Sequence, residues 1–150
     1  MERGPGPQEV FTRSFATVSR QWKRRLGHLF RDIGLTQARS TVLLELSRQE
    51  ETTQIELARV LGIEGPTLVR LIDGLERAGL VERHPCAVDR RAKRLRLTAA
   101  AGPVIAEMMR IVAASRAELL EGVSAEELRI ATQVLGLIAA RLERMNSEQD

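Results

Sequence analysis

A mainly α fold with one small β-hairpin is what the sequence predicts, and three observations predict it. Apolar residues recur at steps of three and four through most of the chain. Two capping-box patterns, Thr53 with Glu56 and Ser124 with Glu127, mark helix starts. Only residues 80–84 and 95–98 alternate apolar and polar with the period of two that half-buried strands show. At 150 residues the chain is one domain's worth, enough for a real core without disulfide or metal staples.

From Val10 to Ile33 the residues Phe11, Phe15, Val18, Trp22, Leu26, Leu29 and Ile33 form one continuous helical stripe. Gly34 ends it where a left-handed C-cap is favoured, and Thr36 caps a second helix running to about Gln49, with Val42, Leu43 and Leu46 inward. A third helix starts at the Thr53 capping box, turns Ile55, Ala58 and Leu61 to the core, and is broken by Gly62. Pro66 suits the first turn of a fourth helix, whose inner face is Leu68, Leu71, Ile72 and Leu75 and which stops at Gly79. Two short helices joined by a tight Gly-containing turn make a helix-turn-helix. The alternating segments follow at once, with PCAVDRRAKR as their connection. A hairpin directly after a helix-turn-helix is a winged helix, so the fold class is mainly α (α+β), a winged helix-turn-helix.

Two long helices close the chain. The first, from about Ala99 to Glu121 with Pro103 in its opening turn, is apolar around more than one face in VIAEMMRIVAA. The second begins at SAEE, and Leu128, Ala131, Leu135, Ile138, Leu142 and Met145 make a seam for a partner helix. A monomer can use such stripes as core, but these exceed what a small winged helix must cover. The expectation is therefore a homodimer formed through the first and last helices. Residues 1–8 (MERGPGPQ) read as a floppy tail, not a signal peptide, and 147–150 as a frayed end.

Charge is distributed unevenly. The net charge is +3, yet between Arg83 and Arg96 six basic residues meet one acid, a local +5 that leaves −2 for the remainder. A positive field confined to one segment points to a polyanionic partner such as nucleic acid. One cysteine, Cys86, excludes an internal disulfide and fits a reducing cytosol, so a cytoplasmic, nucleoid-associated protein is expected. No apolar run approaches the roughly 18 residues that cross a bilayer, and no membrane partner is expected. His28 and His84 have no zinc-type spacing, and no phosphate-cradling loop or nucleophile–base set is present. Neither a metal, a cofactor nor an enzymatic activity is expected.

GIEGPTLVRLIDGLERAGLVER followed by CAVDRRAKRLRLT resembles the MarR family of bacterial transcription regulators, its SlyA-type branch in particular. The similarity runs from the Trp22 region to the C-terminal helix and includes IAEM and GVSAEEL. The resemblance implies a homodimer that binds pseudo-palindromic promoter DNA and responds to small aromatic carboxylates. Residues 9–146 are then one MarR-type domain, with 9–34 and 99–146 for dimerisation and 36–98 for DNA.

A helix fits the DNA major groove, whose edges distinguish every base pair. The fourth helix is the candidate, with Pro66, Thr67 and Arg70 toward the bases. Arg70 carries the fork suited to guanine, and the resemblance supports it as the principal reader. Arg90 or Arg91 at the hairpin tip suits a narrow minor groove. In the family's pattern Asp89 acts with the arginine and orients it. Lys93 and Arg94 suit phosphates, as do Thr53 and Gln54, although a capping role explains Thr53 equally well.

The family likeness also implies a ligand pocket, for which Trp22, Arg25, His28 and Arg39 offer an indole and cations; core packing is the competing role for Trp22. A Cys86 thiolate beside arginines would be reactive, but the family's thiol sensors place their cysteine in the first helix, so an inert residue is expected. The alternative to a ligand-tuned regulator is an architectural or antisilencing DNA binder of modest specificity.

Overall fold

The computed structural model describes residues 4–49, 51–85 and 93–148. Packing divides the chain into two compact units, 1–115 and 116–150, with the division inside the fifth helix. The first unit holds α1 (Pro7–Arg31), α2 (Gln37–Leu46), β1 (Thr52–Thr53), α3 (Gln54–Leu61), α4 (Gly65–Arg77), β2 (Val81–Pro85), β3 (Lys93–Leu97) and most of α5 (Ala101–Leu119). The second holds the end of α5 and α6 (Ala125–Ser147). The order of elements in the first unit is that of a winged helix.

Helix α1 begins at Pro7, inside the segment read from the sequence as a tail. Proline presets φ for a first helical turn and loses no needed donor there. After α1 the Leu35 amide donates to the Phe30 carbonyl across Gly34, at φ +78°, and the Thr36 hydroxyl accepts from the Arg39 amide to cap α2. Helices α1 and α2 approach closely at Gly27, where a Cβ would lie 2.9 Å from Gln37 Oε1 and 3.0 Å from Gln37 Cβ. Helix α2 stops at Leu46, three residues before the expected end.

The capping box of α3 is fully formed. The Thr53 hydroxyl accepts from the Glu56 amide (3.2 Å), and the Glu56 carboxylate accepts from the Thr53 amide (2.9 Å). Gly62, in the left-handed conformation, ends the helix and makes the tight turn into α4. The inner face of α3 differs from the expected one. Leu57 and Ala58 are buried and Leu61 is half-buried, whereas Ile55 is 77% exposed. An eight-residue helix buries a narrow stripe, and the neighbours at 57, 58 and 61 form it instead of the 55, 58, 61 row.

Helix α4 buries Leu68, Ile72 and Leu75 completely, against Val81 of β2 and Leu95 of β3 in the same core. The sheet has three strands in the order β1-β3-β2, all antiparallel neighbours. Strand β1, two threonines paired with Leu95 and Arg94, was not foreseen. The hairpin ladder includes Pro85 opposite Lys93 and His84 opposite Arg94. Lys93 and Arg94 are therefore strand residues and not part of the connection, as the sequence had suggested.

Helix α5 contributes Met108, Val112 and Ser115 to the interior of the first unit. In the second unit Ser124 and Glu127 form their capping box, and α6 buries none of its residues. Its apolar stripe, including Ile130, Val134, Leu135, Ile138, Leu142 and Met145, lies exposed, as do Val10, Phe11, Phe15 and Val18 of α1. Among the described residues no helix is long and apolar enough to cross a membrane.

The Gly27 contact yields a test. Helix propensity alone favours Gly→Ala by about 1 kcal/mol. Gly27→Ala nevertheless lowers stability in urea unfolding, because the Gln37 Cβ it meets is tied to the α2 backbone. A net gain would mean that α2 yields at no cost.

Candidate nucleic-acid interface

Because Leu68, Ile72 and Leu75 face the core, the helical repeat turns Pro66, Arg70, Asp73 and Arg77 to the opposite side of α4. Pro66, Thr67 and Arg70 are all exposed, as expected of groups that meet a groove. The N-cap Glu64 makes no side-chain cap hydrogen bond. Thr67 also borders an apolar hollow of about 350 Å³, shared with Leu71, Leu61 and Ile63 and with Ala38 and Thr41 of α2.

Strand alternation sorts the basic segment. Val81, Arg83, Lys93, Leu95 and Leu97 share one face of the hairpin; Glu82, His84, Arg94 and Arg96 share the other. Lys93 and Arg94, expected together on phosphates, thus point to opposite faces. Arg94 Nη1 donates to the Glu51 carboxylate at 2.7 Å, and this bond holds the Glu51 carboxyl below its ordinary pKa. Lys93 is exposed at the outer end of β3, and Arg96 lies exposed opposite Glu82.

Arg83 is turned inward, its side chain 17% exposed. Its guanidinium binds Asp73 Oδ1 at 2.6 Å, the Glu76 carboxylate, Gln54 Oε1 at 3.0 Å and, at 3.5 Å, the Val69 carbonyl. One side chain thereby joins β2 to both helices of the helix-turn-helix. Sequence reasoning counted Arg83 only as a charge. Its place two residues after Val81, on the core side of an alternating strand, was the available signal. Glu51 was missed because nothing local marks its pairing with a residue 43 positions away.

Thr53 and Gln54 stand at the start of α3 as expected. The Thr53 hydroxyl both accepts from the Glu56 amide and donates to the Glu56 carboxylate at 2.9 Å, so it is spent within the capping box. Asp89, Arg90, Arg91 and Cys86 lie outside the described residues.

The four residues expected to line a ligand pocket are not brought to one place. Trp22 is half-buried and donates from Nε1 to Ser115 Oγ of α5 at 3.2 Å, a packing role. Arg25 and His28 border an open hollow on α1 with Gln21, Arg24 and Leu29. The His28 Nδ1 meets the Arg31 guanidinium. Arg39 lies over α4 at Gly74, where a Cβ would overlap its guanidinium.

A family model described as the MarR family matches residues 33–92, which contain α2, the helix-turn-helix and β2. The transcriptional regulator PA3341, of known crystal structure, is 45% identical with a TM-score of 0.83, the match covering 89% of this chain and 98% of that one. The chain belongs to the MarR family. The same fold is found in a MarR transcriptional regulator from Methanosarcina mazei Go1, at TM-score 0.83 and 22% identity over 91% of this chain and 99% of that one. It is found again in a cysteine-to-serine mutant of E. coli MarR complexed with operator DNA. That match has a TM-score of 0.76 and 25% identity over 86% of this chain and 93% of that one. In this MarR-family winged helix two cations of the basic segment, Arg83 and Arg94, are already paired with the chain's own carboxylates.

The Glu51–Arg94 pair predicts a titration. A depressed carboxylate pKa gives stability that is present above the unfolded-state value and is lost as pH falls through the folded-state one. The pair is therefore intact at neutral pH and weakens only in acid. In a carboxyl-carbon NMR titration Glu51 has a midpoint below 4.5, and Arg94→Gln raises it. An unchanged midpoint in that variant would remove Arg94 as the cause.

Proposed function

We propose that the protein is a homodimeric transcription regulator that recognises a pseudo-palindromic promoter site through α4 and the hairpin of each protomer. The observation that carries this reading is the rotation of α4. Its buried stripe leaves Pro66 and Arg70 outward in the first two turns, with exposed Lys93 on the neighbouring ladder. Arg70 presents a bidentate donor fork to guanine O6 and N7, and Thr67 bonds a base edge or a phosphate. Lys93 holds phosphate and supplies affinity without sequence information. The Gln54 amide bonds phosphate from the start of α3, while Thr53 acts as its cap. On the family resemblance, Asp89 together with Arg90 or Arg91 is assigned to a minor groove. The operator complex of the E. coli MarR relative supports DNA as the ligand.

Dimerisation through 9–34 and 99–146 is supported by the apolar residues that α1 and α6 leave exposed. Two α4 helices related by a two-fold axis then meet half-sites roughly 10 base pairs apart. An aromatic carboxylate effector finds the guanidinium groups of Arg24 and Arg25 on α1, in a hollow that His28 also borders. With Arg25→Gln, benzoate loses its effect on DNA affinity if that hollow is the site and keeps it if another is.

Anisotropy with DNA from upstream of the protein's own gene, against a scrambled duplex at equal salt, tests the reading. The expected preference is about 10³ or more; equal affinity would favour the architectural alternative at that locus. Arg70→Ala costs about 1–3 kcal/mol and relaxes specificity at one position per half-site, whereas Lys93→Ala weakens all sequences alike and lowers the salt slope by about 1 for each phosphate no longer neutralised. Equal loss on specific and random DNA would remove Arg70 from base reading. Leu142→Glu, at a 52% exposed apolar position of α6, gives a monomer in sedimentation and weakens operator binding; an intact dimer would exclude Leu142 from the interface.

A further inference from the structure

The outward face of α4 contains an acid where a groove-entering helix should have none. Asp73 follows Arg70 by three residues on that face, and Glu76 follows by another three. Their side chains are 48% and 43% exposed. Unscreened, two carboxylates on a helix that approaches phosphates repel them. Arg83 covers both, and the same guanidinium fixes Gln54. With the Gln54 oxygen accepting from Arg83 Nε at 3.0 Å, the amide turns its NH2 group, the half able to donate to phosphate, away from Arg83. All three nitrogens of the Arg83 guanidinium are engaged within the protein.

We propose that Arg83 is a positioning residue for DNA recognition. It touches no DNA, but screens Asp73 and Glu76 and orients Gln54 so that α3 and α4 present donors to the duplex. This rests on the DNA-binding reading above and adds a role for a basic residue that does not contact the polyanion. An arginine is required because three acceptors at different positions must be met from one planar fork; a lysine offers one point of charge.

The experiment is a double-mutant cycle in DNA binding. Arg83→Gln, checked for folding by circular dichroism, weakens DNA binding by about tenfold, within the range of coupling between residues in direct contact. Asp73→Asn with Glu76→Gln, added to Arg83→Gln, restores most of that loss. The same pair in the otherwise unaltered protein changes affinity little, since Arg83 already screens those carboxylates. Arg83→Lys recovers affinity only in part. If Arg83 instead binds phosphate itself, Arg83→Gln lowers the salt slope by about 1 per protomer and the double neutralisation rescues nothing, which overturns the proposal. Unchanged affinity in folded Arg83→Gln overturns it as well. Should Arg83→Gln fail to fold, Gln54→Met, uncharged and of similar size but without the amide NH2, gives a second reading. It weakens binding if the amide donates to phosphate and leaves it unchanged if it does not. Failure of the unaltered protein to bind DNA at all would sink the DNA-binding reading itself, a result distinct from any of these.

Discussion

The rotation of α4 about its own axis is the constraint on which the interface depends. Leu68, Ile72 and Leu75 are completely buried, and each contributes about 1.5–3 kcal/mol through apolar burial. A turn of one residue, about 100°, would bring polar neighbours into the core and these leucines and isoleucine out of it. The helix therefore cannot choose which residues to offer; the core chooses for it. Gly62 in the left-handed turn and Pro66 in the first turn set where α4 starts, and the buried stripe does the rest.

What α4 offers is then edited by β2 and by α2. Arg83 arrives from one side and occupies Asp73 and Glu76. Arg39 arrives from the other and lies where a side chain at position 74 would be. A glycine inside a helix costs about 1 kcal/mol relative to alanine, and here it makes room for an arginine to pack against the helix. The two arginines flank the same turn of α4, one by ion pairing and one by filling space. Both are absent from the outward face, which leaves Arg70 as the guanidinium one turn into the helix.

The helices were legible because their signals are local. Capping boxes at Thr53 and Ser124 and long stripes in α1 and α6 need no knowledge of tertiary structure, and each is found as expected. Strand β1 was not legible, since two residues have no period and Thr52–Thr53 exists as a strand only because β3 lies beside it. Ile55 was misassigned because a short helix permits several stripes and only packing selects one. The ligand residues are dispersed for a different reason: Trp22, Arg25, His28 and Arg39 have suitable chemistry, but chemistry carries no direction. Trp22 turns to Ser115 and Arg39 to Gly74. Within the basic segment the period of two was visible, and it separates Arg83 and Lys93 from Arg94 once it is applied to charged residues as well as apolar ones.

Pairing within the basic segment bears on the choice between a specific regulator and a general DNA clamp. Non-specific affinity grows with the number of cations free to replace counterions on the duplex. A clamp of that kind gains by leaving its arginines unpaired. Here Arg94 is engaged by Glu51, and Arg83 by Asp73 and Glu76. The Glu51–Arg94 pair is exposed and contributes little to stability, so fold stability alone does not explain it. The effect of such pairs on a polyanion is larger, because a guanidinium held by the chain's own carboxylates neutralises no phosphate while the pair stays closed. Base-edge contacts of the kind proposed for Arg70 escape this cost, as they depend on the sequence met and not on the number of phosphates within reach. Intramolecular pairing thus suppresses the indiscriminate part of DNA binding more than the selective part, and favours the regulator.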